Sequence, residues 1–224
     1  MAAIREAPHT AGLAITLAQG GRPTMHIGIL VFDDMELLDM AGPYEVFTTA
    51  ARVHGRSQPA GTAPLFTVST VARDAAPVRA RAGLRVQPDH GLHDHPPLHA
   101  AIVPGGVVDA ELQQPQTLAW IAAQRRSAPV LASVCTGALL LAQAGVLDGL
   151  AATTHWEDLA ALQALRPAVQ LRAGVRWVDE GAVVTSAGIT AGIDMCLHLV
   201  RRLHGHELAA LTARQMDHDW KDTP

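Results

Sequence analysis

Short apolar runs alternate along the chain with stretches in which apolar residues recur every three or four positions. Residues 26–32 (HIGILVF) are a continuous apolar run closed by Asp33 and Asp34, the pattern of a strand buried on both faces of a parallel sheet. Residues 37–51 have helical spacing interrupted at Gly42-Pro43, so a helix is expected to begin there, with Pro43 in its first turn. Residues 65–71 predict a second strand, 77–86 a short exposed hairpin, and 87–98, rich in Pro, His and Asp, a loop. Residues 100–103 predict a short strand running into Pro104-Gly105-Gly106, and 115–126 a helix with proline at its start. The strand at 130–134 leads directly into a helix at 136–144. Beyond Gly149 come a helix at 157–165, strands at 175–178 and 182–185 joined by Asp179-Glu180-Gly181, and closing helices at 191–203 and 207–216. Repeated βα units imply an α/β fold, a mostly parallel sheet with helices on both faces and an antiparallel edge.

Nearly half of the 224 residues (49%) are hydrophobic, enough to cover both faces of such a sheet within one large domain. No apolar stretch approaches the roughly 20 residues of a membrane span, so the chain is expected to be soluble. The formal charge of -4 is mild, and basic residues are scattered apart from pairs such as Arg125-Arg126 and Arg201-Arg202; nucleic acid demands a basic stripe. Two cysteines, Cys135 and Cys196, allow one disulfide at most, which points to a reducing cytoplasm. Near the start, AGLAITLA follows Arg5, but QGGRPT offers no signal-peptide cleavage site. Met25 precedes the first strand, so residues 1–24 are expected to be a flexible extension, or the product of a start codon assigned too far upstream, and residues 25–224 the folded domain.

The candidate chemistry lies in PVLASVCTGALLLAQAG (residues 129–145), which sets Cys135 between an apolar strand and an apolar helix. That is the context of a nucleophile elbow. Beside unpaired N–H groups at a helix start, thiolate is favoured over thiol, so a lowered pKa is expected. A free cysteine is more often a small buried hydrophobe. Position separates the two: Cys135 falls at a strand end, where α/β sheets bind ligands, whereas Cys196 lies in a helix interior and reads as core.

With these motifs in order, the chain resembles the ThiJ/PfpI superfamily, flavodoxin-like domains with a reactive cysteine at such an elbow. The resemblance spans about residues 26–204. It is carried by DDMELLDMAGPYEVF, IVPGG, SVCTGALLLAQAGVLDG, TTHW and VVTSAGITAGIDM. It implies that an acid four residues before a proline reaches the cysteine; Asp39, before Pro43, holds that position, where many members have Glu. A carboxyl beside a thiolate implies a shared proton and a raised carboxyl pKa. Proteases and glyoxalase-like members usually carry His after the cysteine. This chain has Thr136, which together with the SAGITAGID segment resembles the isonitrile hydratase branch. The same patterns occur in ligand-sensing domains of AraC-type regulators, whose further helix-turn-helix region is not expected in the few residues before Pro224.

The resemblance implies hydration of a small isonitrile to an N-substituted formamide by a homodimer, with Cys135 as nucleophile, Asp39 as proton donor and acceptor, and neither metal nor organic cofactor. The alternatives are a glyoxalase, deglycase or amidase of the same superfamily, or a ligand or oxidation sensor. Thr136 offers its N–H to the sulfur and its hydroxyl to a neighbouring carbonyl or carboxyl, and Gly106 either supplies a second N–H for developing charge or only shapes a turn. Ile189 and Thr190 are expected to line the pocket, though Ile189 fits a core position equally well. His155 either reaches the pocket or caps a helix. His90, His93, His95 and His99 look like a metal-binding loop, but their prolines and spacing suit a surface connection better.

Overall fold

Strand formation follows the apolar runs. In the computed structural model, which describes residues 23–224, β1 (Met25–Leu30) and β2 (Phe66–Ala72) are followed by the hairpin β3 (Val78–Arg79) and β4 (Arg85–Val86). Then come β5 (His90–Gly91), β6 (Ala100–Val103), β7 (Val130–Val134), β8 (Ala151–Ala152), β9 (Gln170–Leu171), β10 (Trp177–Asp179) and β11 (Val183–Ser186). The helices are α1 (Leu37–Gly55), α2 (Pro115–Ser127), α3 (Gly137–Gln143), α4 (Leu159–Leu165), α5 (Ala191–His204) and α6 (His206–Gln215).

The main sheet has the order β10-β11-β7-β6-β1-β2-β5 and is parallel except for the β10–β11 edge. Its inner strands β6 and β7 are buried at every position, as a sheet covered on both faces requires. Helices α1, α5 and α6 pack against one another, and α2, α3 and α4 form a second group. The expected flavodoxin-like architecture is therefore present: the order reverses at β1 and β6, and a crevice opens outside their carboxyl ends. Residues 1–22, which hold most of the expected extension, lie outside the described residues.

Two expectations are corrected. Helix α1 starts at Leu37, and Pro43 sits inside it. The proline removes only the N–H that would have bonded to the carbonyl of Asp39, while Gly42 lets Ile193 of α5 approach closely. Packing between α1 and α5 thus outweighs the local penalty. The stretch 87–98 is not wholly loop, because β5 pairs with β2 at the sheet edge. Asp89 organises that edge by accepting from the N–H and hydroxyl of Thr70, both at 2.8 Å. Two of the neighbouring histidines are tied to distant parts of the chain: His95 Nε2 accepts from Trp120 Nε1 at 2.8 Å, and His99 Nδ1 accepts from the N–H of His26 at 3.1 Å.

Helix α3 leaves β7 so tightly that a Cβ on Gly137 would lie 2.2 Å from the carbonyl oxygen of Val103 and 2.8 Å from that of Pro104. Gly137→Ala is therefore expected to cost about 2–4 kcal/mol through backbone displacement. The same exchange at Gly55, where a Cβ meets nothing within 4 Å, should be neutral or stabilising by up to ~1 kcal/mol. Urea unfolding midpoints of the two variants measure the contrast, and a wild-type midpoint for Gly137→Ala would contradict the packing described.

Candidate active site

Three strand ends converge here. β1 leads into α1 and Asp39, β6 into Gly105 and Gly106, and β7 into Cys135. Cys135 has φ 56°, a left-handed conformation costing a side-chain-bearing residue about 1 kcal/mol or more. The surroundings impose it. Its N–H donates to the carbonyls of Ser186 (3.2 Å) and Ala187 (3.4 Å), and its carbonyl accepts from the Thr154 hydroxyl at 2.9 Å. Thr154 was not singled out by sequence, because its part depends on a fold contact across 19 residues.

Asp39 is fully buried. Its Oδ2 accepts from the N–H of Gly105 at 3.0 Å, while Oδ1 has no hydrogen-bond partner among the described residues. The Cys135 thiol is near enough to interact with the carboxyl electrostatically and as a weak donor, though no bond of ordinary geometry joins it to Oδ1. Burial pushes the Asp39 carboxyl up to about 7, with the Gly105 N–H opposing and Glu36 adding repulsion. In the sequence Gly105 is visible only as part of the turn Pro104-Gly105-Gly106, with nothing to mark its amide as a donor. A Cβ there would stand 2.5 Å from the Thr136 nitrogen, so only glycine lets β6 carry its amide to Asp39 beside the elbow.

The expected low thiol pKa is reversed. Burial first, and then the negative charge of Asp39, push Cys135 up to about 12, against N–H donation from Thr136 and Ile189. Cys135 is buried, and a helix start favours thiolate only where desolvation is smaller than the field of the exposed amides. The two groups titrate as a pair. With one proton between them, the pair exists either as thiol with carboxylate or as thiolate with carboxylic acid.

Thr136 and Gly106 hold each other. The Gly106 N–H donates to Thr136 Oγ1 at 2.8 Å, and that hydroxyl donates to the Gly106 carbonyl at 2.9 Å. The Gly106 N–H is thus already engaged and not free for developing charge, which corrects one of its two expected roles. The other stands: at φ 131° a Cβ would strike Asp34 and Glu36 backbone atoms at 2.4 and 2.5 Å, so Gly106 shapes the turn. The second amide at the sulfur is that of Ile189, whose φ of 35° is a marked outlier for a β-branched residue.

A cavity of about 520 Å³ opens at the thiol, lined by Cys135, Thr136, Gly106, His155 and Ile189 together with Glu36, Arg81, Val107, Val108, Leu112, Leu139 and Asp158. Thr190 is not among its lining residues; it borders a neighbouring cavity of about 560 Å³, which His155 and Ile189 also border. His155 fills both sequence-derived roles. It lines the cavity, and its Nδ1 accepts from the N–H of Glu157 at 3.4 Å, capping the short 3-10 turn Trp156–Asp158. Cys196 is fully buried in α5, as expected of a core residue.

Solved structures of similar fold are numerous. The model of the DJ-1/PfpI family matches residues 25–202. An isonitrile hydratase of Pseudomonas putida is 36% identical over 197 residues, 87% of this chain and 78% of that protein. The HTH-type transcriptional regulator GbdR of Pseudomonas aeruginosa is also 36% identical, over 84% of this chain but 49% of its own length; this chain thus spans about half of that regulator. Among solved structures, a ThiJ/PfpI family protein from Pseudomonas syringae superposes with a TM-score of 0.76 at 30% identity, covering 90% of this chain and 78% of that one. By sequence, by fold and by the elbow that carries Cys135, the chain belongs to the DJ-1/PfpI family.

Proposed function

We propose that this protein is an isonitrile hydratase, acting on small organic isonitriles as a cytoplasmic homodimer. The observation that carries the reading is the buried Asp39 carboxyl, with one oxygen unpartnered, beside the Cys135 thiol. A carboxyl so placed is costly to a binding module and useful to an enzyme that must move a proton at the sulfur. Thr136 in place of histidine and the 36% identity to an isonitrile hydratase support the same choice.

The chemistry follows from the pair. The sulfur of Cys135 and a proton from Asp39 add to the terminal carbon of R–NC, giving a thioimidate, R–N=CH–S. The Asp39 carboxylate left behind takes a proton from a water that attacks the same carbon. Asp39 passes that proton to the nitrogen, and as the C–S bond of the tetrahedral adduct breaks and the thiolate leaves, the adduct's hydroxyl returns its proton to Asp39, so that R–NH–CHO departs and the pair is restored with one proton. The net change is addition of one water. Thr136 and Ile189 amides steady the sulfur when it is charged, and the apolar side of the cavity suits the organic group R.

A second reading, a ligand-sensing domain, is favoured by the equal identity to GbdR. Formamide appearance from para-nitrophenyl isonitrile, followed in the ultraviolet beside loss of methylglyoxal, separates the readings. Turnover of the isonitrile supports the hydratase, loss of methylglyoxal the glyoxalase-like alternative, and silence in both the sensor.

Cys135→Ala should abolish formamide production, and Asp39→Asn should lower kcat/KM by about 10²–10⁴; wild-type turnover in either variant would remove that residue from the mechanism. The reactive form is the singly protonated pair, so kcat/KM should rise as pH increases through about 7 and remain level into the alkaline range. An ascending limb near 9, the titration of an isolated thiol, would instead uncouple Cys135 from Asp39. Stability should run the opposite way. A carboxyl raised from 3.8 to about 7 binds more protons folded than unfolded, so its contribution is complete below 3.8 and is lost as pH rises through 7. Asp39→Asn should therefore stabilise relative to wild type at pH 8 by on the order of 3–4 kcal/mol more than at pH 4, measured by denaturant unfolding at the two pH values.

A further inference from the structure

The walls of the Cys135 cavity carry mostly one sign of charge. Glu36, Asp109, Glu157 and Asp158 line it against a single guanidinium-bearing residue, Arg81, whose Nη1 is 3.9 Å from Glu36. The imidazole of His155 stands 3.4 Å from Asp158 and 3.6 Å from Glu157, so even a charged ring leaves negative charge in excess. No other lining residue is charged, and Asp39 lies buried beyond the wall, bonded to Gly105.

Carboxylates around a cleft with low-dielectric walls focus a negative potential into it. An anion entering such a cleft loses water and meets repulsion in place of a partner. A cation or a neutral molecule bears no such penalty. Arg81 cannot invert the balance, because it is mostly exposed and already shared with Glu36.

We propose that this cavity admits neutral and cationic organic molecules and rejects anions, so that the substrates are isonitriles lacking a carboxylate, phosphate or sulfate, amine-bearing isonitriles included. As a statement about substrates this rests on the hydratase reading; as a statement about what reaches Cys135 it does not. Asp109 and Glu157, exposed at the cavity, are the specificity-determining positions that can be changed with least disturbance to the fold.

The test compares two thiol reagents of similar size and opposite charge, the trimethylammonium-ethyl and sulfonato-ethyl methanethiosulfonates, applied to the whole chain at low salt. Labelling of Cys135 is followed by peptide mass spectrometry, with 2-mercaptoethanol as the reference thiol. The cation-to-anion rate ratio should exceed the reference ratio about tenfold or more. It should shrink in about 0.5 M salt and in the double variant Asp109→Asn/Glu157→Gln. A ratio equal to that of the reference, a ratio unmoved by both salt and the variant, or failure of both reagents to reach Cys135 overturns the proposal. In parallel, kcat/KM is measured for isocyanoacetate and its methyl ester; the ester should be preferred about tenfold or more, and equal turnover refutes the substrate selection. If neither isonitrile is turned over while the reagent ratio holds, the hydratase reading falls and the charge selection of the cavity stands.

Discussion

A carboxyl group kept out of water next to a thiol is the constraint around which the rest of this molecule is arranged. Ionising Asp39 at pH 8 against its burial costs on the order of 4 kcal/mol, a large part of the 5–15 kcal/mol by which a domain of this kind is ordinarily stable. Backbone strain at Cys135 and Ile189 adds to it. The offset comes from the continuous core: β6 and β7 are buried at every position, and helices cover both faces of the sheet. Only a rigid sheet can hold three strand ends so close that one amide, that of Gly105, serves a carboxylate contributed 66 residues earlier in the chain.

Much of this was legible in the sequence, and the reasons differ by element. Residues 100–103 and 130–134 were placed residue for residue, because each is a short apolar run with proline at one edge, Pro104 and Pro129, which limits the possible register of the ends. β5 leaves no trace in the sequence because its two residues, His90 and Gly91, carry no apolar pattern; a side chain outside the strand, Asp89, fastens it. The start of α1 at Leu37 is not legible in the sequence, because a proline inside a helix is indistinguishable, in one dimension, from a proline at its first turn. Ile193, whose packing tolerates the longer helix, is 150 residues away.

The site divides in the same manner. Cys135, Asp39 and Thr136 belong to motifs with fixed local spacing and could be named from them. The thiol's protonation could not, since an elbow motif records which amides are nearby and nothing of how much water the fold removes. Backbone donors were equally hidden. Gly106 looked like a candidate donor until its amide met Thr136 Oγ1, and Gly105, one residue earlier, emerged only when the three strand ends were brought together.

Because β6 pairs with β1 through Ile29 and Ile102, and with β7 through Val103 and Ser133, the accuracy of the site is the accuracy of strand alignment. Chain-length changes should then be tolerated very unevenly over evolutionary time. Residues added between α1 and β2, or at the tip of the β3–β4 hairpin, leave that alignment intact. One residue inserted between Val103 and Gly105, or just before Cys135, would shift a donor or the sulfur by about 3.3 Å and turn the next side chain to the other face.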